Sequence, residues 1–115
     1  MDIINKITIK EEHIDDLMVT ALEGGINYWC SDVFIIDNPN KCSFASEVVA
    51  YGGEIKLITF EGVEFKLNRD LVVQGIKKAM EHFEYDSFNN LMNEHDAITA
   101  DVIIQFTLFD KIVFG

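Results

Sequence analysis

The apolar residues of this chain repeat at two different periods, and that change of period limits the fold more than any other feature. Ile14, Leu17, Met18, Ala21 and Leu22 fall at i, i+3, i+4, i+7 and i+8, which is one face of an amphipathic helix. Val63, Phe65 and Leu67 instead alternate with Glu64 and Lys66, the pattern of a strand with one wet face. A chain that uses both must pack helices against a sheet. The sequence therefore predicts an α+β fold, a small, mostly antiparallel sheet with helices packed on one face. At 115 residues it has no repeat, linker or low-complexity tract, so residues 1–115 read as a single domain. A chain of this length buries roughly two-thirds of its unfolded surface, enough for one core.

The remaining elements follow from local signals. Ile3–Ile9 reads as an opening strand, and Thr8 and Glu11 have the spacing of a capping box ahead of the first helix. Gly24-Gly25 stops that helix. Val33–Ile36 is a continuous apolar run, read as a buried strand and closed by the turn Asp37-Asn38-Pro39-Asn40. Ser43–Tyr51 predicts a short helix capped by Ser43 and ended by Gly52-Gly53. Glu54–Phe60 and Val63–Leu67 form a hairpin about Glu61-Gly62. Asn68 caps a helix running to Phe83, with Gly75 on its apolar face open to close approach by another backbone. Asp86 caps a shorter helix carrying Phe88, Leu91 and Met92. Thr99–Leu108 suits a helix by spacing, although its β-branched and aromatic residues would tolerate a strand; helix is the preferred reading. Ile112–Phe114 reads as a closing edge strand.

Charge narrows the function classes. Twenty acidic and nine basic side chains give a net charge of −11. Phosphate contacts need Lys and Arg, so the balance argues against direct nucleic-acid binding and against an anionic membrane surface. The start of the chain has no apolar stretch suited to a signal peptide. Its two cysteines are expected as free thiols in a reducing, cytoplasmic compartment.

No catalytic constellation is present. GxSxG, P-loop, GxGxxG and HExxH motifs are all missing, and the chain is read as a non-enzyme with no cofactor. A metal site would have to be assembled in space from Cys30, Cys42, His13 or His95 and an acid, because neither cysteine has CxxC or finger spacing. The simpler expectation is a buried Cys30 beside Trp29 and a partly exposed Cys42. A pair such as Asp15-Asp16 would attract a divalent cation only at high concentration, lacking the pattern of a calcium loop.

The segment Gly24-Gly25-Ile26-Asn27-Tyr28-Trp29-Cys30 is the most distinctive in the chain. Two readings stand. Tyr28 and Trp29 plug the core while Asn27 ties off the helix, which aromatic burial favours. Alternatively, Asn27, Tyr28 and Trp29 line a ligand pocket with Arg69, and with Lys66, Lys77 and Lys78 they receive an anionic nucleotide, as a sponge for a defence signal would.

Acidity is also distributed unevenly. No Lys or Arg occurs from Ala79 to Asp110, while Glu81, Glu84, Asp86, Glu94 and Asp96 lie in that stretch. Glu11, Glu12, Asp15 and Asp16 form a second group at the start of the first helix. Such groups are either an ordinary solvated surface or a partner-binding surface that copies duplex phosphates and occupies a positive groove.

Ile14–Cys30, with its helix ending in Glu23-Gly24-Gly25 and its Tyr28-Trp29-Cys30 motif, resembles a family of small phage and prophage proteins of Gram-positive bacteria. Ala45-Ser46-Glu47 ahead of Gly52-Gly53, Ile103-Ile104-Gln105-Phe106 and the Ile112-Val113-Phe114-Gly115 tail extend the resemblance over most of the chain. His95–Asp101 keeps only part of the aspartate-rich segment of that family. The resemblance implies origin rather than mechanism, since it transfers no catalytic residue. It implies a counter-defence protein in the infected bacterial cytoplasm. The leading expectation is an anti-CRISPR inhibitor that blocks the target-DNA loading surface of a Cas effector by protein–protein contact, as monomer or dimer.

Overall fold

The computed structural model describes residues 8–83 and 88–115. Within them five α-helices and a three-stranded antiparallel sheet form an α+β fold. Residues 3–7 of the expected opening strand, and the expected cap Asp86, lie outside the described residues; Thr8–Lys10 form no strand.

Helix α1, Glu11–Thr20, buries Ile14, Leu17 and Met18 as the spacing requires. Its cap differs from the expected Thr8–Glu11 pair. Lys10 stands at the N-cap, and its backbone N–H donates to His13 Nδ1 at 3.0 Å. The helix does not stop at Gly24-Gly25 either, but widens into a π turn over Ala21–Gly25. Gly25 is buried there because α5, Ala97–Phe109, crosses close by; a Cβ at Gly25 would stand 2.8 Å from the Ala97 carbonyl oxygen.

Strand β1, Cys30–Asp37, pairs antiparallel with β2, Glu54–Thr59, which pairs with β3, Glu64–Asn68. Gly62, at φ 87°, makes the β2–β3 turn. Ile55, Leu57 and Thr59 alternate inward against the helices, while Lys56 and Ile58 face outward. The expectation of a buried strand at Val33–Ile36 is corrected. These residues form a strand, but at the edge of the sheet among the described residues, and Val33, Phe34, Ile35 and Ile36 are 38, 50, 44 and 45% exposed. A continuous apolar run carries no record of whether the fold covers it.

Helix α2 spans Ala45–Ala50, entered through Phe44 rather than Ser43; the Phe44 N–H donates to Glu47 Oε1 at 3.3 Å. Helix α3, Arg69–His82, begins at Asn68, whose Oδ1 accepts from the Leu71 N–H at 3.0 Å, a cap worth about 1 kcal/mol. Helix α4 is Phe88–Glu94. Helices α3 and α5 cross at Gly75, where a Cβ would overlap Thr107 Oγ1 and stand 2.9 Å from the Ile103 carbonyl oxygen. Thr99 through Gln105 are all buried, so α5 is a central helix covered on every side.

The C-terminal tail also departs from expectation. Ile112–Phe114 joins no strand. The Val113 and Phe114 N–H groups instead donate to Gln105 Oε1 at 2.7 and 2.8 Å, and Gln105 Nε2 donates to the Phe114 carbonyl at 3.2 Å. One buried side-chain amide thus supplies the donor and acceptor that a neighbouring strand would supply. No helix among the described residues is long and apolar enough to cross a membrane.

Candidate functional site

The distinctive Tyr28-Trp29 segment is drawn into the core by one acid. Asp101, 7% exposed on the inner side of α5, accepts from Tyr28 Oη at 2.6 Å, Trp29 Nε1 at 2.7 Å and Gln105 Nε2 at 3.0 Å. Trp29 is buried, stacked on Phe114 at 5.0 Å and edge-on to Phe109 at 5.8 Å. Tyr28 keeps half its surface exposed, but its hydroxyl end is tucked against Asp101. Burial of that hydroxyl, then the bond to Asp101 and its charge, push the Tyr28 phenol up to about 12. Asn27 is exposed beside them.

These residues and Arg69 do not form one pocket. Cys30 pairs with Thr59 at one end of β2, whereas Glu54, beside Arg69, is at the other end; five residue steps along the strand separate the two ends by about 17 Å. Arg69 donates to Glu11 Oε1 at 3.2 Å, and Lys78 pairs with Asp110, so two of the four expected cations already face carboxylates. Lys66 and Lys77 are exposed.

The metal candidates are likewise dispersed into structural contacts. Cys30 is buried and Cys42 half-buried, both as free thiols; burial pushes the Cys30 thiol up. His13 closes the α1 cap and meets the Phe88 ring edge-on at 4.9 Å. His95 Nδ1 lies 2.8 Å from the Met92 carbonyl oxygen, and its Nε2 lies 3.2 Å from Thr20 Oγ1 and 3.7 Å from Asp16 Oδ2. Among the described residues, no three His, Cys, Asp or Glu side chains come together as a metal set.

Those histidine contacts tie Phe88, the first residue of α4, and His95, just past its end, to α1, and so bring Asp96 of the second acidic group towards the first. Glu11, Glu12 and Asp16 are exposed on α1, and Asp16 reaches across to His95, whose neighbours are Glu94, the last residue of α4, and Asp96. Asp96 has a local role besides. It caps α5, accepting from the Thr99 N–H at 2.9 Å, and that bond above all holds its carboxyl below the usual range. Glu81 is exposed on the last turn of α3; Glu84 and Asp86 lie outside the described residues.

On its other flank α1 borders a groove of about 620 Å³ lined by Asp15, Val19, Leu22, Glu23, Val33, Phe44 and Glu47 among others. Asp15 Oδ1 is buried there with no hydrogen-bond partner, an arrangement that costs free energy unless something else supplies a donor.

Sequence reasoning overlooked Asp101 and Gln105 as a pair. Asp101 sits in the acidic stretch and resembles its solvated neighbours. The signal was available nonetheless: Asp101 and Gln105 stand i, i+4 about the apolar run Val102-Ile103-Ile104, which places two polar side chains on one face of a core helix. Comparison with protein-family models, curated proteins and solved structures gives no match to this chain.

Proposed function

We propose that this chain is a non-enzymatic, stoichiometric inhibitor that covers a basic surface of a protein partner. The observation that carries the reading is the approach of His95 and Phe88 to α1 through Thr20, Asp16 and His13, which brings Asp96 to the side of α1 that carries Asp16, with the exposed Glu12 one turn before it. Carboxylates arranged along a helix flank complement the Lys and Arg groove with which a nucleic-acid enzyme receives phosphates. The resemblance to phage and prophage chains makes a host defence protein the class of partner, with the target-DNA loading surface of a Cas effector foremost. Binding of this kind is salt-sensitive, because exposed charges are screened within roughly 10 Å at 0.1 M salt.

Affinity capture from a bacterial lysate at low and high salt, followed by mass-spectrometric identification and a DNA-cleavage assay, tests it. A captured effector whose cleavage falls to zero at one equivalent of the chain supports the proposal. Turnover behaviour, or capture of no nucleic-acid-handling protein, overturns it.

A further inference from the structure

The edge of β1 and the groove beside it are used by nothing described above. We infer that together they form a docking site for a short, extended, basic segment of a partner protein, which adds to the sheet as a fourth strand. This rests on the reading of the chain as a protein-binding module and names the kind of segment it takes.

Three observations converge. First, β1 is an edge strand among the described residues, so one side of its backbone presents N–H and C=O groups to whatever lies beside it. Register irregularities between Cys30 and Asp32, and between Ile35 and Asp37, confine the regular stretch to Asp32–Ile35. A segment of about four residues is therefore the length that fits. Second, the strand is apolar and bare on both faces. Val33 and Ile35 pair with Leu57 and Ile55 and lie on the helix side, where Val33 also lines the groove. Phe34 pairs with Lys56 on the open side. Exposed, contiguous apolar surface of this kind marks an interaction site.

Third, the charge selects the occupant. Asp15, Glu23 and Glu47 line the groove, and among the described residues no Lys, Arg or His does. Val19, Leu22 and Phe44 would receive the methylene stem of a lysine or arginine, and its charged head would meet the unpartnered Asp15 Oδ1. Side chains of an added strand alternate between the two faces. A basic residue facing the groove then brings β-branched neighbours over Phe34. A second copy of this chain fits poorly. Each copy carries −11, and antiparallel pairing of two β1 strands centred on Phe34–Ile35 sets Asp32 against Asp37, which repel when directly opposite.

The probe is a labelled octapeptide alternating lysine and valine, titrated by fluorescence anisotropy into the full chain, with amide hydrogen exchange read in parallel. We expect binding that slows exchange within Asp32–Ile35. A lysine-only octapeptide should bind about tenfold more weakly, as should the alternating peptide to D15N or V33K chains of unchanged melting temperature. Equal affinity for the lysine-only peptide would reduce the effect to bulk charge and overturn the inference. So would unchanged β1 exchange, or a concentration-dependent dimer whose β1 amides are the protected ones. Peptide binding seen only after removal of residues 1–7 would also overturn it, assigning the groove to the chain's own N-terminus. If the peptide fails while a captured effector still binds through Glu12 and Asp16, this inference falls and the reading of the acidic flank stands.

Discussion

A carboxylate in a core persists only where donors replace the water it has lost, and at Asp101 three side chains do so. Two outcomes follow at this scale. Trp29→Phe keeps a ring against Phe114 but removes one donor from a charged acceptor, and should cost about 1–3 kcal/mol. Trp29→Ala also opens a cavity and should cost about 3–5 kcal/mol; urea unfolding of the two variants separates the terms. Tyr28 contributes a pH dependence. Its folded pKa, about 12, lies above the ordinary phenol value of 10.0, so the native state holds the phenolic proton more tightly than the unfolded chain. The contribution is fully present below pH 10.0 and is lost as pH rises towards 12. Melting temperatures across that window should fall less steeply for Tyr28→Phe than for the natural chain, and parallel slopes would contradict the Asp101 contact. The burial of Trp29 was legible from its size alone. Its partner was masked by the solvated acids around it, and only the i, i+4 spacing of Asp101 and Gln105 about an apolar run sets Asp101 apart from them.

At the scale of elements, the sequence is most readable where one face of a segment is buried and the other wet. Helix α1, the β2–β3 hairpin and α3 with its Asn68 cap all answer to that condition, and their apolar periods gave them away. Helix α5 blurred the period because every side of it is buried, so helix and strand remained close competitors. Strand β1 failed in the opposite sense, since an apolar run predicts burial and here meets a sheet edge. The tail read as a strand because its residues suit one, yet it pairs with the side chain of Gln105. Gly75 was legible as a point of close approach, and its neighbour across the gap is α5. Gly75→Ala must push α3 from α5 and should destabilise by about 1–3 kcal/mol. Gly24→Ala meets nothing within 4 Å and should be neutral or slightly stabilising, since Gly disfavours helix by about 1 kcal/mol relative to Ala. Thermal unfolding of the pair makes the comparison, and equal losses would contradict the α3–α5 contact.

For the whole molecule, the structure divides the acids into those with a local task and those without one. Asp101 holds the core, Asp96 caps α5 and Glu11 meets Arg69. Glu12 and Asp16 stay exposed on α1, Asp16 with its carboxylate 3.7 Å from His95 Nε2. Neither the approach of Asp96 to α1 nor the placing of the groove was readable beforehand, because the first depends on the contacts of Phe88 and His95 with α1 and the second on how α2 packs on it. The account stands on the claim that this acidic flank of α1 binds a partner by charge. Its most direct measurement is the affinity of the captured partner for the natural chain and for the E12K/D16K double variant, by calorimetry at low salt. Surface reversal should leave the melting temperature within a few degrees, since such changes cost only about 0.5–1 kcal/mol. The account expects one-to-one binding for the natural chain and a loss of about thirtyfold or more for the variant. Undiminished affinity of a folded E12K/D16K chain would contradict it.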